Sequence, residues 1–324
     1  MCHAVRRIGV VTAGGDAPGM NAAIRAIVRS AIHNGLEVIG FERGYAGLIN
    51  DEFRLMGPRA VSGIINLGGT ILRTIRCEEM KTPEGLEKAS ETLKRHGIDG
   101  LIAIGGDGTF RGASELYKVS GVPVVGVPAT IDNDVAGTDT TIGFDTAVNT
   151  ALFAIDRIRD TATSHERIFV VEVMGRRRGF LALEVGLAEG AEIILVPEIK
   201  FRIEDVCRKL KKAKSEGKTS EIIVMAEGAG DSRAIVSKIS KETGYEVRLT
   251  VLGHIQRGGS PTARSRILAC EFGSKAVDLL LEGAKKRMVG IEGKRIVSVD
   301  LDYSWKEQKE LDMRLYRLAE VLSA

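Results

Sequence analysis

The chain has 324 residues, 44% hydrophobic and 27% charged, with a formal net charge of +3, ordinary values for a globular protein with material for one large or two medium domains. So even a charge balance, with nine Phe, five Tyr and one Trp, leaves neither a basic footprint nor the stacking platforms that nucleic acid demands. No apolar run approaches the roughly 18 residues of a membrane span, and the cysteines at 2, 77, 207 and 270 form no CxxC pair. The expectation is a reduced, soluble, cytoplasmic protein. Met1 to Arg7 looks faintly like a signal n-region, but the apolar stretch Ile8 to Val11 is too short for the core of one, so an unprocessed start is expected.

Strands and helices alternate from the first residues onward. Val/Ile-rich runs predict strands at Arg7–Thr12, Glu37–Phe41, 100–104, 122–127, Ile168–Val173, 193–196, 222–226, 247–252 and 296–299. Helical patterns lie between them at Met20–His33, 83–96, 146–159, Ile203–Ser215 and 264–282. Pro83 suits a first helical turn, and Gly97 and Gly217 suit stops. Runs that are apolar at nearly every position belong to strands covered on both faces, and the βα alternation predicts an α/β fold of doubly wound, mostly parallel sheets flanked by helices. Glycine is over-represented, at 38 residues, and follows no triplet period, which points to close backbone turns.

Three glycine-acid clusters stand just after predicted strands, where doubly wound sheets bind ligands. Gly14-Gly15-Asp16-Ala17-Pro18-Gly19 opens a helix, and its amides can face a phosphate with no Cβ in the way. A tight turn with a capping Asp fits that segment equally well. Gly105-Gly106-Asp107-Gly108-Thr109 admits a polyphosphate and puts one hard carboxylate, Asp107, beside it for Mg²⁺. It is not a dinucleotide fingerprint, because position 111 is Arg, and the Gly217–Thr219 stretch is no P-loop, because position 212 is Lys. Its plain alternative is again an Asp-capped turn. In Pro128-Ala129-Thr130-Ile131-Asp132-Asn133-Asp134, two aspartates two residues apart in an extended segment would face one site, one as a proton acceptor and one near the metal. Cations follow other strands, in Met174-Gly175-Arg176-Arg177-Arg178-Gly179 and around His254 and Arg257. A solvated charge run also accounts for Arg177 and Arg178. His3, His33 and His96 read as surface or helix-end residues. Glycines and carboxylates for a metal-polyphosphate donor, with arginines for an anionic acceptor, are what in-line phosphoryl transfer requires.

In order and spacing, GGDAPGMNAAIR, GGT with Arg76, GGDGT, PATIDND, MGRRRG and LGHIQRGGSP resemble the bacterial-type ATP-dependent 6-phosphofructokinases, over Arg7 to about Gly290. The resemblance implies two doubly wound domains with several chain crossings: 1–141 plus 255–305 for nucleotide, and 142–254 plus 306–324 for sugar phosphate. It implies that Gly15, Arg76, Cys77 and Gly105, Gly106, Asp107, Gly108 and Thr109 hold ATP, with Asp107 on Mg²⁺. Thr130, Ile131 and Asp132 would meet fructose 6-phosphate, with Asp132 as the base that takes the proton of its 1-hydroxyl. Asp134 would assist, and Arg176 would stabilise the moving phosphoryl group. Met174, Gly175, Glu227, His254 and Arg257 would shape the sugar-phosphate pocket, and Arg167 and Arg248 would arrive from a neighbouring subunit of a homotetramer. The family's effector site is matched by Arg25, Arg29, Arg159, Gly190, Glu192 and Lys218. Pro58, Gly63 and Glu216 replace its usual Arg, Asp and Lys, and Thr219-Ser220 replaces a basic stretch, so a weak response to nucleoside diphosphate or phosphoenolpyruvate is expected.

Related activities are separable on the same residues. Pyrophosphate-using members typically carry Asp at the position of Gly108 and Lys at that of Ala129. Gly108 therefore favours ATP, while Ala129 differs from the usual ATP-type glycine by one methyl. NAD-kinase-like and lipid-kinase-like enzymes share GGDGT but not PATIDND with LGHIQRGGSP. A catalytically dead regulatory subunit would need Asp107, Asp132 or Arg176 eroded, and all three are present.

Overall fold

A computed structural model describes residues 5–323; Cys2 and His3 lie outside them. Among the described residues the strands are β1 (Arg7–Thr12), β2 (Glu37–Phe41), β3 (Phe53–Leu55), β4 (Gly100–Gly105), β5 (Val124–Thr130), β6 (Ile142–Gly143), β7 (Ile168–Val173), β8 (Ile193–Leu195), β9 (Glu221–Ala226), β10 (Val247–Val251), β11 (Lys286–Glu292) and β12 (Arg295–Asp300). They form two sheets, ordered β12-β11-β5-β4-β1-β2-β3 with β6 beside β5, and β10-β7-β9-β8. Contacts divide the chain into unit 1, residues up to 131 with 135–146 and 257–309, and unit 2, residues 132–134, 147–256 and from 310 onward.

In unit 1 the central strands pair in parallel, β4–β1–β2 and β4–β5–β11, and the two antiparallel pairs, β2–β3 and β11–β12, are confined to the edges. β4 is buried along its whole length, as a strand under helices on both faces must be. Phe41, Leu93, Leu101 and Phe110 fill one of its cores without exposure. From β1 the chain builds outward through β2 and β3, then returns to β1's other side for β4 and β5. The carboxyl ends of β1 and β4 are thus where the connections diverge, the place where such sheets bind ligands. The helix Pro83–Arg95 has Pro83 in its first turn, and the Thr82 side chain accepts a hydrogen bond from the Gly85 amide.

Unit 2 holds the all-parallel second sheet. Val170, Ile223, Met225, Leu210 and Ile239 form its core, the last two from the helices Ile203–Ser215 and Ser232–Thr243. Here the connections diverge at β7 and β9, whose carboxyl ends carry Met174 and Glu227.

Several boundaries differ from the sequence expectation. The strand expected at 122–127 runs over Val124–Thr130 and delivers Thr130 at its tip. The helix expected at 146–159 spans Phe144–His165. β3 and β11 were not expected: β3 is three residues long and largely exposed, and β11 mixes Lys286, Arg287 and Glu292 with its apolar residues. The domain boundaries also move. Residues 142–146 stay in unit 1 because β6 pairs with β5 and Thr146 Oγ1 bonds Ser265 Oγ at 2.8 Å. Residues 306–309 stay there too, with Lys309 Nζ donating to the Asp139 carbonyl at 2.7 Å. Residues 132–134 and 255–256 count with unit 2, where Asp132 meets Arg176 and Gln256 meets Met174.

Candidate active site

The unit 1 loops that follow β1 and β4 are locked together by hydrogen bonds to backbone carbonyls. The Ala13 amide continues the ladder onto the Ile104 carbonyl at 3.0 Å. Thr109 Oγ1 donates to the Ala13 carbonyl at 2.8 Å. Burial pushes the Tyr45 phenol pKa up, so it remains a donor, and its hydroxyl bonds the Thr109 carbonyl at 2.5 Å. A Cβ on Gly105 would lie 2.3 Å from Thr109 Oγ1 and 2.4 Å from the Ala13 carbonyl oxygen, so only glycine lets the two loops pack. Asp16 is not a cap: the helix Met20–His33 begins behind Gly19, with φ 110° and no side chain to offer. Asp107 is not a cap either, since Gly106 holds that position and Asp107 opens the helix Asp107–Ser120. Neither helix start therefore carries a side-chain cap. The Asp107 side chain is 40% exposed and lies 3.9 Å from Arg111, while a Cβ on Gly108 would meet nothing within 4 Å. Thr74 Oγ1 bonds the Gly14 carbonyl at 2.8 Å, and buried Asn21 holds the 67–71 backbone at both its amide ends. The next residues are Arg76, exposed, and Cys77, half-buried against a hydrophobic core of unit 1. Arg257, expected on the sugar phosphate, counts with unit 1: its guanidinium lies 4.0 Å from Asp16 and would be 2.7 Å from a Cβ on Gly15.

Beyond β5, the two-aspartate segment is not extended as expected. Thr130 ends the strand, its carbonyl accepting from Thr141 Oγ1 at 2.6 Å, and Asn133 turns left-handed with φ 53°. Asp132 and Asp134 therefore do not alternate along one extended segment. Instead, Asp132, 1% exposed, lies with Oδ2 3.1 Å from Arg176 Nε. Within unit 2, the Gly175 and Arg176 amides donate to Glu227 Oε1 at 3.1 and 2.6 Å, and the Met174 amide donates to Gln256 Oε1 at 3.0 Å. Glu227 thus grips the loop that presents Arg176, whose own φ is 53°. Arg177 is exposed, Arg178 stacks on Phe180, and His254 is exposed on the short turn Gly253–Arg257.

A profile of the family described as Phosphofructokinase matches residues 7–280. The chain belongs to the phosphofructokinase family. It is 54% identical over 98% of its length to all of an ATP-dependent 6-phosphofructokinase of Halothermothrix orenii, and 55% identical over 98% to all of one from Halalkalibacterium halodurans. Among solved structures it resembles the phosphofructokinase of Saccharomyces cerevisiae, with a TM-score of 0.90 and 34% identity, covering 98% of this chain and 48% of that longer one. A pyrophosphate-dependent phosphofructokinase of Marinobacter aquaeolei shares the fold, with a TM-score of 0.85 and 22% identity over 96% of this chain and 86% of that one.

In this phosphofructokinase chain, Arg167 and Arg248 lie apart from the Arg176 loop of the same unit. Arg167 precedes β7 and Arg248 sits near the start of β10, whereas Met174 and Arg176 follow the end of β7. Six strand residues at about 3.3 Å each put roughly 20 Å between the two ends. Both arginines pair with Glu246, Arg167 at 2.8 Å, and the Arg167 hydrogen bond chiefly holds the Glu246 carboxyl pKa below its ordinary value.

Four of the positions matched to the family's effector site, Arg29, Arg159, Glu192 and Lys218, are already engaged. Arg159 bonds Glu189 through Nε at 2.7 Å, Arg29 bonds the Pro58 carbonyl at 3.3 Å, and Lys218 Nζ lies 3.4 Å from the Ser323 carbonyl. Arg25 is half-buried, and Gly190 ends the helix Phe180–Glu189 with φ 66°. Glu192 accepts the Ile222 amide at 2.6 Å and, with Lys212, Glu216, Lys218 and Glu221, lines a cavity of about 180 Å³ in unit 2. Tyr45, Asn21, Thr74 and Gln256 were not expected here. Asn21, Thr74 and Gln256 lie within recognisable motifs, but none of the four carries a charge that marks it as functional.

Proposed function

We propose that this chain is an ATP-dependent 6-phosphofructokinase of glycolysis, with unit 1 binding nucleotide and unit 2 binding sugar phosphate. The observation that carries the reading is the buried Asp132, 3.1 Å from Arg176, immediately after the Thr130 strand tip. Asp132 accepts the proton of the fructose 6-phosphate 1-hydroxyl as that oxygen bonds to the γ-phosphorus and the bond to the bridging oxygen of ADP breaks. Arg176 is the cation placed for the charge on the moving phosphoryl group, and its ion pair orients the Asp132 carboxylate. Gly15 offers its amide to the same group, Thr130 orients the reactants, and Asp134 supports the acidic segment. Gly105, Gly106, Gly108 and Thr109 let the polyphosphate approach backbone, with Arg76 and Cys77 beside it.

Among the described residues, no group of three or more His, Cys, Asp or Glu could hold a metal unaided. A lone, 40% exposed carboxylate suits an ion that arrives with the nucleotide, so Asp107 would hold Mg²⁺ jointly with phosphate oxygens. When bound, the ion supplies neutralisation of phosphate charge.

Gly108 favours ATP over pyrophosphate, since the space above it is open to a nucleotide. Met174, Gly175, Glu227, His254, Ile131 and Arg257 complete the sugar-phosphate contacts. Arg167 and Arg248 serve a neighbouring subunit of a homotetramer, as their place at the far strand ends supports. The enzyme works in the cytoplasm; among the described residues no helix is long and apolar enough to cross a membrane. Side-by-side assays of fructose 1,6-bisphosphate formation with ATP and with pyrophosphate test the reading. ATP is the expected donor, and predominant pyrophosphate activity refutes it.

A further inference from the structure

The loop that presents Arg176 is held by three consecutive backbone amides donating to two side chains from elsewhere in unit 2. Glu227 takes the second and third, and Gln256 takes the first, from Met174 at 3.0 Å. Gln256 is fully buried, 0% exposed, on a turn after β10. The Met174 residue is itself only 8% exposed, just past the end of β7, so without Gln256 its amide would be left with no strand neighbour to bond. Downstream, Gly175 has φ 135° and Arg176 has φ 53°, a conformation that a non-glycine residue keeps only when its surroundings impose it. Burying a carboxamide merely to fill space is unfavourable, and here the Nε2 donor has no hydrogen-bond partner among the described residues. An apolar side chain of the same length would avoid that cost but could not hold the loop.

We infer that Gln256 is a positioning residue for phosphoryl transfer: through the Met174 amide it sets the loop that aims Arg176 at Asp132. The inference rests on the functional reading of Arg176 given above. Gln256 touches neither reactant in this role. It is also the last residue of its stretch of unit 2, and the next residue, Arg257, counts with unit 1 against Gly15.

The test is a double-mutant cycle on the intact enzyme, with kcat, both KM values and nucleotide binding measured. Gln256→Met keeps length and removes the acceptor; a displacement of the Arg176 side chain by about an ångström lowers kcat by roughly ten- to a hundred-fold, with nucleotide affinity within about two-fold of wild type. In an Arg176→Ala background the same substitution has less than about a two-fold further effect, because its target is gone. Gln256→Glu retains an acceptor oxygen for the Met174 amide in either charge state, so its kcat stays within about five-fold of wild type. It also serves as the probe if the Met variant does not fold. Wild-type kcat in Gln256→Met, an undiminished loss in the Arg176→Ala background, or a Gln256→Glu kcat lowered by more than about five-fold overturns the inference. Near-normal turnover of Arg176→Ala alone instead overturns the reading of Arg176.

Discussion

Replacing Glu221 by Gln should make unit 2 more stable at alkaline pH and not at acid pH. Glu221 opens β9, is 3% exposed, and faces the Glu192 carboxylate, with Lys214 and Lys218 as its opposing charges. Burial first, and Glu192 second, raise its pKa from 4.5 to about 7. Between those values the native state holds a proton that the unfolded chain has released, so stability is full below about 4.5 and falls as pH rises through about 7. The rise from 4.5 to about 7, at roughly 1.4 kcal/mol for each tenfold change in proton affinity, sets a ceiling of about 3.5 kcal/mol. Glu221 lines a cavity that admits water, which reduces the expected effect to about 1–2 kcal/mol. Urea unfolding of wild type and Glu221→Gln near pH 5 and near pH 8 reads the effect as a difference of differences, in which the slope cancels. The variant should gain about 1–2 kcal/mol more at the higher pH. An equal effect at both pH values would show that the carboxyl ionises normally in the folded protein and refute the argument.

Asp132→Asn should lower kcat by about 10² to 10⁴-fold while sugar-phosphate binding persists, because a neutral amide keeps the contact with Arg176 but accepts no proton; a kcat within tenfold of wild type excludes Asp132 as the base. Asp107→Ala should raise the Mg²⁺ concentration needed for half-maximal rate as well as lower the rate, whereas full activity of the wild type in excess chelator would contradict the metal assignment. Gly105→Ala should destabilise unit 1 by about 1–3 kcal/mol, since its Cβ would fall 2.4 Å from the Ala13 carbonyl oxygen, and denaturant midpoints equal to wild type would contradict that packing. Fructose 6-phosphate saturation should move little with millimolar ADP or phosphoenolpyruvate, because Arg159 is committed to Glu189 and the cavity beside Lys218 carries Glu192, Glu216 and Glu221; a several-fold shift in half-saturation would show a working effector site.

The sequence by itself determined the fold class and which strand ends carry the glycine, aspartate and arginine clusters. A buried parallel strand writes itself as an unbroken apolar run, so β1, β4, β7 and β9 were legible, and with them the place of the glycine-acid and arginine clusters just after β1, β4 and β7. Local chemistry also set the stops at Gly97 and Gly217, both of which adopt the positive φ their residue type permits. The edge strand β3 was not legible, since a half-exposed edge needs no continuous apolar run, and neither was β11, whose Lys286, Arg287 and Glu292 break the apolar run at both its ends. Nor was the left-handed turn at Asn133, which replaces the extended alternation expected there. The tertiary structure alone decided who holds whom. Arg257 rests against Gly15, Glu227 and Gln256 grip the 174–176 amides, and Tyr45 bonds the Thr109 carbonyl 64 residues away. Such contacts join residues with no periodic relation along the chain, because a hydrogen bond depends on where two strand ends meet in space, and the order of strands within a sheet is set by the packing of the whole.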